Sequence, residues 1–559
     1  MKKYVLSALL IVFGLSDQAQ LLPHKYLVKF TDKNNSPYTI SDPSQYLSPR
    51  ALARRAKQSI SIKYNDLPVT PFYVDSVVST GVTLLCRSKW FNSVSIYTVD
   101  SNALNKIKSF PFVLSVDSIT TVIPPEKVNP LIADKPSNIL CNPESKTEKA
   151  SNYNYGYAAN QINMIAGEYL HDIGYCGQGI TIAILDAGFW NVDSIAAFDS
   201  LWYNNQILGT RDFVDPGGNV FRQNAHGMYV LSAIAANIPG RIIGTAPKAN
   251  FLLLRSEDAS SENIIEEYNW TSSAEYADSA GADIINSSLS YTTFDGAWMN
   301  HTYADMNGHT CPSSIAASIA ASKGIVVCNS AGNDGYFGDT WHYIGAPADA
   351  DSIITVGAVD AFGNYYYASS TGPTADGRIK PTVAAQGEDT YVVSTTGNAV
   401  PASGTSFSSP VIAGATACLI QAFPNASNMQ IINAIIKSAS QYTHPDSLQG
   451  WGIPNYAVAA AILSNITVRN FDGDNSINVF PNPFSDIIYL LFNSNDTNSM
   501  NIDIYDLRGR RVYLETGVHR NKGYNFLTLE NINNLANGVY FIRISSNNKV
   551  FRKKIMKQN

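Results

Sequence analysis

Residues 151–465 predict an α/β architecture built on a doubly wound parallel sheet. Short, continuous apolar runs suited to strands covered on both faces recur at Ile180–Leu185, Phe251–Leu254, Asp283–Leu289, Ile325–Asn329 and Ile353–Val356. Ala-rich helical stretches lie between them, among them Val230–Ala236 and Ser313–Ser322. Strands alternating with helices give a parallel sheet with helices on its faces, and sites in such sheets form beyond the carboxyl ends of the strands.

The flanks have a different rhythm. With 559 residues the chain is too long for one core. Lys2 and Lys3 precede an apolar run from Tyr4 to Leu15 and then Ser16-Asp17-Gln18, so residues 1–19 are expected to be a secretory signal. That run is too short to span a bilayer, and no membrane span is expected. Lys25–Phe30 alternates as a strand. Ser48–Lys57 reads as a basic helix, with Ser48 as N-cap and Pro49 at the first helical position. Strands follow at Val82–Ser88 and Val94–Val99, so this segment is a small α+β unit. From Ile123 to Ser151 the chain becomes rich in Pro, Asn, Lys and Glu and reads as a linker. Beyond residue 478, short runs at Ile487–Phe492, Asn501–Tyr505, Asn525–Leu529 and Gly538–Ile544 predict a small β-sandwich.

Charge divides with these segments. Residues 20–150 carry 16 Lys+Arg against 10 Asp+Glu, residues 151–465 carry 9 against 26, and residues 466–559 carry 12 against 8. The acidic central segment argues against nucleic acid as a partner, and a basic segment beside it is placed to be attracted. The six cysteines form no CxxC pair, which argues against structural zinc. Cys328 and Cys418 lie in apolar runs, as buried thiols do.

Four short motifs carry chemistry. Asp186 directly follows the run ITIAIL, where a carboxylate can orient an imidazole. His226, in NAHGMYV, opens a helical stretch and can act as a base near neutral pH. Asn333, in SAGNDG, follows a strand and can donate its amide to a developing oxyanion. Ser406, in GTSFSSP, sits at the mouth of an apolar helix. Pro410 is expected near that helix's start, and the helix dipole favours negative charge there. Taken singly, these are a turn carboxylate, a capping histidine, a turn and an N-cap serine.

In the order Asp, His, Asn, Ser across one α/β unit they point to a nucleophilic serine. Asp…His…Ser is the subtilisin order, not the Ser…Asp…His order of α/β-hydrolases, and position 408 is Ser where GxSxG needs Gly. Residues 152–465 resemble the subtilisin-like serine peptidases through ITIAILDAG, NAHGMYVLSAIA, INSSLS, SAGNDG, GTSFSSPVIAG, SSTGPTADGRIKPTVAAQG and GWGIPN. The resemblance implies Ser406 as nucleophile, His226 as proton shuttle, Asp186 as its orienter and Asn333 as oxyanion donor. It also implies that Ser288, Leu289 and Ser290 pair with extended substrate, with Gly332 and Gly345 beside them. A large apolar side chain is expected over Gly345. Met228, Tyr229, Ser290 and Thr382 depart from the family pattern.

The same resemblance makes residues 20–150 a propeptide and linker, with the catalytic unit as the propeptide's partner. It also makes 478–559 a type IX secretion sorting domain, through VFPNPFSD, NIDIYDLRGRRV and NGVYFIRI. The expected protein is therefore a secreted or cell-surface endopeptidase acting on proteins or peptides, with the type IX secretion machinery as an export partner. No cofactor is expected for the chemistry. Structural calcium is allowed, with Asp305-Met306-Asn307-Gly308 a fragment of a calcium loop lacking the EF-hand glutamate. The absence of HExxH argues against a zinc protease. The competing readings are a non-catalytic surface protein on the same scaffold and an esterase or amidase using the same residues. For the C-terminal segment, the competing reading is a carbohydrate- or surface-binding β-module.

Overall fold

The computed structural model describes residues 24–120, 153–336, 340–464, 469–520, 522–547 and 549–558. The expected signal segment, the linker and Cys141 lie outside these residues.

The N-terminal unit is a four-stranded antiparallel sheet. Its strands are β1 (Lys25–Phe30), β2 (Thr83–Ser88), β3 (Ser93–Tyr97) and β4 (Val113–Ser118), in the order β2-β3-β1-β4. The predicted third strand therefore stops at Tyr97, two residues early. Val28, Phe30, Val74, Val77, Val94, Ile96 and Ile107 form a core of its own. The Pro49–Lys57 helix begins as its sequence demands: Ser48 Oγ accepts the Ala51 N–H at 3.1 Å, and Pro49 stands where an N–H would have no partner.

The central unit is a seven-stranded parallel sheet. It comprises β5 (Thr181–Asp186), β6 (Ile207–Asp212), β7 (Asn250–Arg255), β8 (Ile284–Ser287), β9 (Val326–Ser330), β10 (Ile354–Val359) and β11 (Val383–Gln386), in the order β11-β10-β9-β8-β5-β7-β6. The chain enters at β5, fills one side through β6 and β7, then crosses to β8. β5 is thus the switch point, where such sheets place their sites. Its residues alternate between two cores. Ile182 and Ile184 pack with Met228, Leu231, Val411 and Ile412, while Ala183 and Leu185 pack with Trp270, Ala274, Ala316 and Ala320.

Two strands of this sheet, β6 and β11, fall outside the predicted runs. β6 (ILGTRD) is a half-exposed edge strand, and β11 (VAAQ) is short and made mostly of small residues, so neither gives an apolar run. The predicted Asp283–Leu289 strand shortens to Ile284–Ser287. Asp283 instead accepts the Thr181 N–H at 2.9 Å, and residues 288–290 leave the sheet.

The polar helix Ile265–Ala280 also escaped the apolar pattern, because charge holds much of its buried face. Arg54 and Arg55 of the N-terminal unit reach Asp278 at 2.5 and 2.8 Å, and Lys89 reaches it at 3.3 Å. Arg55 also pairs with Asp66 at 3.1 Å, and Lys323 of the central unit closes on Asp66 at 2.9 Å. Burial pushes the Asp278 carboxyl up, but Lys89, Arg54 and Arg55 outweigh burial and hold it below the usual carboxylate range. One turn earlier, Glu275 accepts Ser88 Oγ and the Lys89 and Trp90 N–H groups at 2.6, 2.7 and 2.9 Å. The opposite charges of the two segments meet in these buried pairs.

The C-terminal unit stacks two sheets, antiparallel except where Arg469–Asn470 pairs in parallel with Ile488–Ser494, over one core that includes Val479, Leu490, Ile502, Ile504, Ile542 and Ile544. The basic tail is itself a strand, Lys549–Lys557. The five described cysteines, Cys86, Cys176, Cys311, Cys328 and Cys418, are buried free thiols. No helix among the described residues is long and apolar enough to cross a membrane.

Candidate active site

Asp186 is the last residue of β5 and is wholly buried. Its Oδ1 accepts the Ala187 N–H at 2.7 Å and lies 2.8 Å from His226 Nδ1. Arg255, opposite Asp186 on β7, secures the following turn by donating to the Ala187 carbonyl at 3.1 Å; Asp212 holds that guanidinium at 3.0 Å.

His226 begins the His226–Ala235 helix, and the Asn224 side chain accepts its N–H at 2.8 Å. The helix approaches β5 closely because Gly227 has no side chain. A Cβ there would stand 2.9 Å from Asp186 Cβ and 2.5 Å from the Gly188 carbonyl oxygen. Nearby, burial pushes the Glu257 carboxyl up to about 8; the Tyr291 hydroxyl, donating to it at 2.9 Å, opposes the shift and Asp186 adds to it. Burial thus disfavours charge on Glu257 beside the Asp186–His226 pair.

Ser406 is the second residue of the Thr405–Ala422 helix, behind Gly404 at φ 150°, and that helix is buried from Thr405 to Ile420. The ring of Phe407, the next residue, lies 6.2 Å from the His226 imidazole centroid. Pro410 lies inside the helix, deeper than the predicted start position. Its missing N–H is the one that would have bonded the Ser406 carbonyl. Ser288 Oγ donates to that carbonyl instead, at 3.0 Å, and so fastens the 288–290 segment to the serine.

Asn333 reaches the same helix start. Its Oδ1 accepts both the Thr405 N–H at 2.9 Å and Thr405 Oγ1 at 3.0 Å, which fixes the amide with its Nδ2 on the other side. Gly332 is tied to Thr405 as well, its N–H donating to Thr405 Oγ1 at 3.2 Å. The structure therefore gathers Asp186 with His226, and Asn333, Gly332 and Ser288 around Thr405 and Ser406. Leu289 is buried, and its carbonyl accepts from Asn329 at 3.2 Å.

Ser290 and Thr292 pack closely against Gly345. A Cβ on it would stand 2.2 Å from Ser290 Oγ and 2.8 Å from Thr292 Cγ2, so a hydroxyl and a methyl group border the glycine expected to lie under a large apolar side chain. The segments are held together there by the Tyr291 N–H donating to the Ala346 carbonyl at 2.8 Å and the Ala346 N–H donating to the Tyr291 carbonyl at 3.1 Å. Sequence reasoning also missed Ser288 as the partner of the Ser406 carbonyl. The only signal was Pro410 standing four residues after Ser406.

The calcium-loop fragment does not fit a cation. Asp305 Oδ2 accepts the Thr302 N–H and Oγ1, both at 2.7 Å, and Asn307 Oδ1 accepts the His309 N–H and Thr310 Oγ1. These side chains close a local turn instead of converging on a point.

Comparison with known proteins agrees with this architecture. The Subtilase family matches residues 177–452, the Bacteroidota peptidase S8 propeptide domain matches 25–131, and a secretion system C-terminal sorting domain matches 478–558. Subtilisin E of Bacillus subtilis (strain 168) is 30% identical over 302 residues, which cover 54% of this chain and 70% of that protein. Subtilisin of Bacillus pumilus is 29% identical, covering 54% of this chain and 97% of that protein. A thermophilic serine proteinase of Bacillus sp. (strain AK1) is 29% identical over 359 residues, covering 64% and 79%. With its own propeptide domain in front and a sorting domain behind that marks it for type IX secretion, this chain belongs to the subtilase family of serine peptidases.

Proposed function

We propose that the protein is a secreted serine endopeptidase in which Ser406 attacks the scissile carbonyl of a protein or peptide. Asp186 holds His226 through Nδ1, which leaves Nε2 to take the Ser406 proton and later give it to the departing amine. The aspartate fixes the tautomer and stabilises the imidazolium that forms. As the carbonyl becomes tetrahedral, its oxygen gains negative charge. The Ser406 N–H, at a helix N-terminus, and Asn333 Nδ2 are the donors for it. Thr405 occupies Asn333 Oδ1 on both counts, so the amide does not have to reorient during reaction.

Substrate lies extended along Ser288–Ser290, with its reacting residue between that segment and Gly332. The N-terminal unit acts as a folding partner and inhibitor that is later removed, and residues 478–559 direct export to the cell surface or medium.

The observation that carries this reading is the 2.8 Å Asp186–His226 pair on the same sheet edge as a serine at the mouth of a buried helix. The test is Ser406→Ala, assayed for casein hydrolysis and for loss of the propeptide. Both are expected to stop. Continued casein hydrolysis would overturn the assignment, whereas propeptide loss alone would mean that another protease performs maturation.

A further inference from the structure

We infer that Ser290 sets the specificity of this peptidase by restricting the residue before the scissile bond (P1) to short side chains, with preference for uncharged polar ones. The inference rests on the catalytic reading above. It names the substrate class of that same site.

The crevice beside Ser406 has two walls. Ser288 fastens one to the Ser406 carbonyl, and Thr405 fastens the other through Gly332 and Asn333. Any side chain carried by the reacting residue has to pass between them. Both walls present glycine where a pocket would open, but the space is not empty. Ser290 Oγ stands 3.1 Å from where a Cβ on Gly332 would lie and 2.2 Å from where a Cβ on Gly345 would lie. This one hydroxyl therefore bridges from its own segment to both glycines. The Ser370 hydroxyl narrows the Gly332 side further, at 2.8 Å from the same Cβ position, and the Thr292 methyl narrows the Gly345 side. An aromatic ring or a long aliphatic chain cannot enter without displacing Ser290.

The chemistry of the hydroxyl points the same way. Ser370 Oγ is already engaged, accepting the Asp334 N–H at 3.0 Å. Ser290 Oγ is buried and makes no hydrogen bond among the described residues. A buried hydroxyl without a partner is costly, and a ligand group that supplies the missing bond gains affinity. A short P1 side chain ending in a hydroxyl or amide fits the remaining space and supplies that bond. An alanine fits but leaves the hydroxyl unpaired.

The test uses the mature, secreted enzyme and a set of peptide substrates differing only at P1: Ser, Asn, Ala and Phe. Wild type is expected to give kcat/KM for Ser or Asn several-fold above Ala and at least ten-fold above Phe. Ser290→Gly should raise the Phe-to-Ser ratio at least ten-fold by opening the slot. Ser290→Ala keeps the Cβ and should erase the Ser-over-Ala preference without admitting Phe. A wild-type preference for Phe, or ratios unchanged in both variants, overturns the inference while Ser406-dependent hydrolysis leaves the catalytic reading intact. Absence of any Ser406-dependent turnover removes that reading, and this inference with it.

Discussion

Replacing Asp278 with Asn should free the propeptide from the catalytic unit without harming catalysis. Asp278 is fully buried and meets three cations of the propeptide, Arg54, Arg55 and Lys89, at 2.5, 2.8 and 3.3 Å. The variant keeps the volume but leaves those cations short of one anion in a dry interface. Breaking a buried pair by removing one partner costs about 3–5 kcal/mol, because the other charge is left uncompensated. At about 1.4 kcal/mol per decade, that is roughly a hundred-fold to a few thousand-fold loss of propeptide affinity. The assay is inhibition of the mature enzyme by an added segment 24–120, whose separate core supports its folding as a unit. The inhibition constant should rise by at least a hundred-fold in Asp278→Asn. Peptide kcat/KM should stay within two-fold, because among the described residues Asp278 pairs with propeptide cations and bonds none of Asp186, His226, Asn333 and Ser406. An inhibition constant within three-fold of wild type would refute the argument that these buried pairs hold the propeptide.

Three further outcomes follow from the same geometry. Asn333→Ala should lower kcat about 10²- to 10³-fold with KM little changed, a magnitude taken from the corresponding donor in the relative subtilisin; steady-state kinetics checks it. Ser288→Ala should destabilise the enzyme by about 1–3 kcal/mol, since Pro410 removes the helical N–H that would otherwise bond the Ser406 carbonyl. Pro410→Ala should recover part of that loss in the double variant, measured by urea unfolding in the Ser406→Ala background. Acid should loosen the propeptide contact. Burial pushes Asp66 up, but Arg55, the Lys63 N–H and Lys323 outweigh this and bring it from 3.8 down to about 2. Its folded-state value is depressed, so its contribution is complete above pH 3.8 and is lost as pH falls toward about 2, for a total of about 2 kcal/mol. The urea midpoint of the Ser406→Ala precursor should fall across that window, and by less in Asp66→Asn.

The architecture was legible where apolar content was continuous. Strands buried on both faces announce themselves as ITIAIL or FLLL, and so the ends of those strands, with Asp186 after one of them, could be located from sequence. The Gly404-Thr405-Ser406 turn and the all-round apolar helix behind it were legible for the same reason. Elements stabilised by charge or held at an edge were not. The Ile265–Ala280 helix looks solvated in sequence because Glu275 and Asp278 acquire partners such as Ser88 and Arg54 from a segment 187 to 224 residues away. β6 is half polar because it borders solvent.

Within the candidate site, residue types and order nominated the groups but not their contacts. That Asn333 is fixed by Thr405, or that Ser288 replaces the N–H that Pro410 lacks, depends on distances between segments that no local pattern encodes. The family resemblance placed Gly345 under the space for a large apolar substrate side chain. Whether that space is open depended on Ser290, 55 positions earlier in the chain.

The account stands most directly on the chemistry of one hydroxyl. Treat the secreted protein with a peptidyl phosphonate that reacts with activated serines, and map the adduct by tandem mass spectrometry. A single adduct on Ser406, absent from His226→Ala, is the predicted result. An adduct on another residue, or labelling of Ser406 that persists without His226, would contradict the assignment of Asp186, His226 and Ser406 as one catalytic unit.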